Sequence, residues 1–305
     1  MRNRSLVKIV KREEKMRENV LIIRHSKDDY FFGPVAENYN VKSTFCNKFE
    51  KKYFKLAMAY NICVPLFSFG WKHHVSEYNK IIIFDYGWSK EITDFIKKYN
   101  PTSQIHLFFF NTISNKQHQK ILKDKNIDKI WSFDQGDVEK YGLNFNTPMY
   151  SKEYVKKILI MDSPQNDIVF VGKAKERSDL ILNIEKSCKK KGIKTDFTII
   201  ENEKDYIAYS DYIHRVSNAK CILDITNKGQ LGLTLRFMEA LFFKKKIITN
   251  NKYVRNYDFY NNQNIFIIED GNIDGIENFV HSNKQEIAKE QIEYYDLEKW
   301  IKRFV

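Results

Sequence analysis

The feature that most constrains this chain is a recurrence of short runs of branched and aromatic apolar residues. Each is followed, after a polar break, by a stretch with helical periodicity. Asn19-Val-Leu-Ile-Ile-Arg24 is the first such run. Apolar residues at consecutive rather than alternate positions suit a strand buried on both faces. Lys80-Ile-Ile-Ile-Phe-Asp85 repeats the pattern, and the spacing then predicts a helix over 89–99 that stops at Asn100-Pro101. Gln104-Ile-His-Leu-Phe-Phe-Phe-Asn111, a helix over 116–125 and a strand at Lys129-Ile-Trp-Ser-Phe133 follow. Strand, helix, strand at this spacing means βαβ units on a parallel sheet.

The same grammar restarts after a polar, proline-containing stretch, Met161-Asp-Ser-Pro-Gln-Asn166. Strands are expected at 167–172, 195–200, 221–225, 246–249 and 264–268. Helices are expected over 177–191, where Gly192 ends the helix, and over 206–219 and 235–243. The simplest partition is therefore α/β, with one domain over 1–160, a second over 161–305, and the break near 155–166. The last stretch, 283–305, reads as helical and carries Tyr294, Tyr295, Trp300 and Phe304, an apolar set that needs a surface to pack on.

Composition excludes several classes. With 43% hydrophobic and 15% aromatic residues the chain can bury sizeable cores, so global disorder is ruled out. No apolar window approaches the ~18 residues of a membrane span. Residues 1–18 form a charged, partly helical arm without the apolar core of a secretion signal, which predicts a cytoplasmic protein. Cys46, Cys63, Cys188 and Cys221 are scattered, with neither metal nor disulfide spacing. The adjacent pair His73-His74 points its rings apart in any regular structure, so it reads as surface.

The net charge of +12 has three readings: nucleic acid, an anionic membrane face, or a solvated coat. Lysines and arginines are spread through every helix and no nucleic-acid motif is present, so nucleic acid is not an expected partner. The arm Arg2, Arg4, Lys8, Lys11, Arg12, Lys15 and Arg17, interleaved with Leu6, Val7, Ile9 and Val10, suits peripheral contact with anionic lipid on the inner face of a plasma membrane, or is simply an extension.

In open α/β sheets ligands sit beyond the carboxyl ends of the strands. Three post-strand segments stand out in the second half: Gly172-Lys-Ala-Lys-Glu-Arg177, Thr226-Asn-Lys-Gly-Gln-Leu-Gly-Leu-Thr-Leu-Arg236, and Thr249-Asn-Asn-Lys252. The middle one runs from Gly229 and Gly232 straight into a helix beginning near Thr234. Glycines admit close backbone approach, and a helix N-terminus presents free N–H groups to a phosphate. Thr234 caps the helix or donates to a phosphate, Arg236 has the fork for a diphosphate, and Glu239, about a turn on, suits a ribose diol. The plainer alternative is an ordinary cap, two turns, and an Arg236–Glu239 pair on a solvated face. Gly172, Lys173 and Arg177 form a second anion candidate or a charged surface loop. Neither a P-loop nor a dinucleotide fingerprint occurs.

The segment over 224–250, together with 167–172, Tyr257-Asp-Phe-Tyr260, 264–268 and the N-terminal Ile130-Trp-Ser-Phe-Asp-Gln-Gly-Asp-Val-Glu-Lys-Tyr-Gly-Leu143, resembles the bacterial GT-B glycosyltransferases that build lipopolysaccharide and capsule. The resemblance implies two Rossmann-like domains facing across a cleft, with a C-terminal helix crossing back onto the first. It further implies a hexosyl-type transfer from a nucleotide-sugar, which is substrate rather than cofactor, to a saccharide or lipid-linked saccharide acceptor, without a catalytic metal. Thr234 and Arg236 would then meet the diphosphate, Glu239 the ribose, and Gly172 and Lys173 the phosphates. Position 231, eight before Glu239, is Leu231 where retaining members carry a second glutamate, so the stereochemistry stays open. An inverting enzyme needs a base for the acceptor hydroxyl. Asp85, at the end of a buried strand, is the first candidate and His25 the second, with Asp134 and Asp137 behind them; Asp85 alternatively caps the helix after it. A sugar-nucleotide epimerase or phosphorylase, or a non-catalytic nucleotide-sugar-binding partner, would use the same scaffold.

Overall fold

A computed structural model describes residues 19–24, 32, 39–44, 48–60, 70–161, 163–173 and 175–304. The arm at 1–18, His25, Cys46 and Cys63 lie outside the described residues. The chain forms two α/β units: 1–146 with 300–305, and 147–299.

The first unit runs β1 (Val20–Arg24), β2 (Asn40–Ser43), α1 (Lys48–Tyr60), β3 (Lys80–Phe84), α2 (Lys90–Tyr99), β4 (Gln104–Phe109), α3 (Lys116–Leu122), β5 (Lys129–Ser132), α4 (Gln135–Tyr141) and β6 (Asn144–Phe145). Its six strands are all parallel, in the order β2-β1-β3-β4-β5-β6. Alternate strand residues serve opposite faces. Leu21, Ile23, Ile81, Ile83, Leu107 and Phe109 pack with Ile92 and Ile96 of α2. On the other face Trp300 stacks on Phe84 (5.9 Å, 10°) and meets Phe108 edge-on (4.9 Å, 89°), with Phe304 beside Trp131 at 4.8 Å. Trp300 and Phe304 of the aromatic tail thus find their surface on the first sheet, while Tyr295 packs on Phe259 (5.5 Å) in the second unit. Fully burying side chains of this size contributes roughly 1.5–3 kcal/mol each.

The second unit runs α5 (Lys152–Val155), β7 (Asn166–Gly172), α6 (Ser178–Lys190), β8 (Thr195–Ile199), α7 (Tyr209–Ser217), β9 (Ala219–Asp224), α8 (Leu235–Phe242), β10 (Lys246–Thr249), β11 (Ile265–Ile267), α9 (Ile276–His281), α10 (Lys289–Tyr294) and α11 (Leu297–Lys302), whose end belongs to the first unit. The five strands are parallel in the order β11-β10-β9-β7-β8. Ile168, Phe170, Leu223 and Ile248 pack against Ile181, Ile184 and Cys188 of α6. Gly192, at φ +75°, ends α6 as its position in the sequence requires.

Three details differ from the sequence reading. The units divide at 146/147 rather than near 155–166, because Tyr150 already pairs with Tyr295 through its backbone (3.0 Å) and with Tyr209 through its hydroxyl (2.9 Å), both in the second unit. The short edge strands β2 and β6 carry too few apolar residues to show as strands. The terminal stretch is two short helices rather than one, because Asp296 between them accepts from the Lys152 N–H (3.0 Å).

Candidate functional site

Strand order places a crevice in each sheet at the point where successive connections leave in opposite directions. In the second unit that point lies between β7, which is followed by β8 on one side, and β9, on the other. The residues there are Val171 and Gly172 at the end of β7 and Asp224 at the end of β9. Arg236, two positions into α8, reaches across both. Its Nη2 donates to the Val171 carbonyl (2.7 Å), its Nη1 lies 3.5 Å from an Asp224 carboxylate oxygen, and its guanidinium sits 5.1 Å over the Phe170 ring.

Gly172 explains how the arginine fits. A Cβ there would stand closer to Arg236 Nη2 than side-chain carbons ever approach a neighbour. Asp224 is fully buried. Burial pushes its carboxyl up, against the opposing pull of Arg236. Arg177 closes the other side: Nη1 donates to the Ile225 carbonyl and Nη2 to the Lys173 carbonyl (2.7 Å). Burial and the like charge of Arg236 both lower its pKa. Two guanidinium groups thus meet at the crevice beside Asp224, and Arg236 also feels the charge of Glu239.

Thr234 caps α8 by accepting the Arg236 N–H (3.2 Å), and Gly229, at φ +82°, makes the turn that brings the loop there. Gly232 is tied through its carbonyl to Asn251 after β10 (3.4 Å). Lys173 is exposed, its amine 5.1 Å from the Tyr206 ring centroid.

Glu239 is not the surface partner of Arg236. It is 1% exposed, and its two carboxylate oxygens accept from the hydroxyls of Tyr209 (2.8 Å) and Tyr212 (2.6 Å). Burial raises its pKa while both tyrosines and Arg236 oppose the rise. A cavity of about 290 Å³ opens between these groups. Val171, Ile200, Ile207 and Leu235 give it apolar walls, and Tyr209, Tyr212, Arg236 and Glu239 give it polar ones. An apolar slot with a few convergent polar groups is the usual form of a small-molecule site. Sequence reasoning missed Asp224, Tyr209 and Tyr212. The tyrosines are three apart on α7, a spacing that reads as core.

The first unit changes direction between β1 and β3, so Asp85, which follows β3, occupies the corresponding position; His25 lies outside the described residues. Asp85 is 1% exposed and turns toward β4: it accepts the Phe110 N–H (3.2 Å) and the Asn111 amide (3.4 Å) and lies 3.7 Å from His118 Nε2. Burial pushes its carboxyl up. Asp134 caps α4 through the Asp137 N–H (3.2 Å), and Asp137 accepts the Ile113 N–H (2.8 Å). His74 bonds Glu77 (2.8 Å) on a surface 3₁₀ turn.

No protein-family model matches the chain, and no curated protein sequence does. Among solved structures, an α-glucosyltransferase in complex with UDP and a 13-mer DNA containing a central A:G mismatch superposes with a TM-score of 0.57 at 12% identity, over 94% of this chain and 98% of that one. The lipopolysaccharide outer core galactosyltransferase WaaB in its apo form gives a TM-score of 0.46 at 11% identity, over 93% and 97%. The fold is of the GT-B type. Its two Rossmann-like units and their parallel sheets agree with the sequence expectation. Among the described residues no helix is long and apolar enough to cross a membrane.

Proposed function

We propose that this chain is a glycosyltransferase that moves a sugar from a nucleotide-diphosphate donor to a saccharide or lipid-linked saccharide acceptor of the lipopolysaccharide or capsule type. One observation carries the donor half: Arg236 is anchored at the switch point of the second sheet by Asp224 and Val171 while facing a 290 Å³ cavity. In this reading Arg236, Arg177 and Lys173 neutralise the diphosphate together with the N–H groups that open α8. These cations do the work a metal would otherwise do, so the reading takes no metal and no cofactor. Glu239, whose oxygens each hold one tyrosine hydroxyl, keeps a further lone pair on each for the ribose hydroxyls. The apolar walls receive the base. Asp85 and His25 are the candidate bases for the acceptor hydroxyl. For Asp85 that role requires release from Phe110 and Asn111, so its tie between the strand ends is the competing assignment.

The test is a thermal-shift panel of UDP, GDP, dTDP, CMP, NAD and ATP, since a ligand selective for the folded state raises its apparent stability. A shift with one nucleoside diphosphate, lost in Arg236→Ala, is the expected result. UDP, bound in the α-glucosyltransferase neighbour, is the first to try. A shift with none of them removes the reading, and consumption of a donor sugar without any acceptor points instead to an epimerase or phosphorylase.

A further inference from the structure

The opposite end of the second sheet carries a feature that the nucleotide cavity does not use. The N-terminal ends of its strands, and the turns that lead into them, are built from lysine. Lys194 precedes β8, Lys220 opens β9 and Lys244 precedes β10; Lys190 and Lys191 end α6, and Lys284 lies against Lys244. The sheet order brings them into one stripe. Asp167 at the start of β7 accepts the Lys194 N–H (2.8 Å) on one side and pairs with Lys220 (2.7 Å) on the other. Lys245 reaches the Ser217 carbonyl just before β9 (2.7 Å), and Lys284 donates to the Lys244 carbonyl (2.8 Å). Four neighbouring strands at the usual spacing make the stripe about 15 Å wide before the α6 lysines extend it.

Lys190, Lys191, Lys194, Lys244 and Lys284 are exposed. The carboxylates of this edge are few: Asp167 is held by Lys220, Glu185 by Lys189 (2.6 Å), and Glu286 follows Lys284. The cations crowd one another, as the Lys245 amine shows: burial and the charge of Lys284 hold it down at about 8. Such a cluster gains from an external anion.

We propose that this lysine edge is a docking surface for an anionic lipid bilayer. The stripe contains lysine and no free arginine: Arg215, at the end of α7, is committed to Asp196 and Thr198. No exposed aromatic side chain stands among these lysines. Surfaces for single-stranded nucleic acid add stacking rings and arginine planes to their cations, whereas flexible ammonium point charges suit a diffuse sheet of phosphate headgroups. The edge lies a strand length, about 20 Å, from the Arg236 cavity, so it binds its partner without occupying the cavity. The proposal is therefore independent of the nucleotide reading. It is also separate from the basic arm at 1–18, which is kept intact in the test.

The test is co-sedimentation of the full chain, and of a variant combining Lys190→Gln, Lys191→Gln, Lys194→Gln and Lys284→Gln, with vesicles of phosphatidylcholine with and without phosphatidylglycerol. Short duplex DNA is titrated in parallel, and circular dichroism checks the fold. The wild-type chain should partition to the anionic vesicles only and be released by salt, and the variant should lose about tenfold in partition with its spectrum unchanged. Equal partition of variant and wild type would overturn the proposal, as would salt-insensitive binding of the wild type alone. A variant that loses DNA binding but keeps vesicle binding would assign the edge to nucleic acid instead.

Discussion

The two units place a carboxylate at the same topological point and use it in opposite ways. Each sheet reverses direction beside its first strand, and Asp85 and Asp224 each end or follow the strand that flanks this point. In the first unit the carboxylate turns away, to Phe110 and Asn111 beyond β4, and ties two strand ends together. In the second it turns inward and fixes an arginine whose side chain is still 19% exposed, at the edge of a cavity. Position at a strand end thus nominates a residue, but spare bonding capacity facing open space decides whether it serves a ligand. By that criterion Arg236 is the proposed binding group and Asp224 its support.

The largest expected effect follows from removing that support. Asp224→Asn leaves a mostly buried guanidinium without its charge partner and should cost about 3 kcal/mol in urea unfolding, with weaker nucleotide binding alongside. A neutral Asp224→Asn would mean the arginine is held by Val171 and Phe170 alone, and the contrast between the units would fail.

A somewhat smaller effect separates the units by pH. His106 of β4 is buried beside Trp131 and Phe304, and burial with the charges of Lys80 and Lys129 holds its pKa at about 4 against an ordinary 6.5. Between those values the unfolded chain binds the proton and the folded chain does not, so stability is full at neutral pH and is lost as pH falls from about 6.5 toward 4. This loss should amount to about 2 kcal/mol and should flatten in His106→Phe, followed by denaturant midpoints from pH 7 down to 4.5. An unchanged slope in His106→Phe would place the acid sensitivity elsewhere.

The smallest effect sharpens the claim about Arg236. Gly172→Ala pushes against the end of the arginine side chain rather than against backbone, so it should cost less stability than Asp224→Asn while lowering nucleotide affinity about tenfold. Unaltered affinity would show that the guanidinium need not stand where Gly172 admits it.

Much of this arrangement is legible in the sequence, for a physical reason. Strands buried on both faces must be apolar at successive positions, so β1, β3, β4, β7, β9 and β10 announce themselves, and the glycine-rich entry to α8 marks a helix start beside the cavity. Local patterns do not encode which side chains meet across the fold. Tyr209 and Tyr212 look like core residues of α7 until α8 is laid against them and Glu239 is found between. Asp224 looks like a strand end until Arg236 crosses from another element. The alternative of a solvated Arg236–Glu239 pair fails for the same reason, since helical spacing says nothing about what covers that face. The small strands β2 and β6 are set by neighbouring edges rather than by their own residues.

The most direct measurement is titration calorimetry of UDP and the other nucleoside diphosphates into the wild-type chain, Arg236→Gln and Asp85→Asn. The account predicts saturable one-to-one binding of one nucleoside diphosphate to the wild type, a loss of about 100-fold or more in Arg236→Gln, and unchanged affinity in Asp85→Asn. Equal affinity in wild type and Arg236→Gln, or a loss confined to Asp85→Asn, would contradict the assignment of the binding site to the second unit.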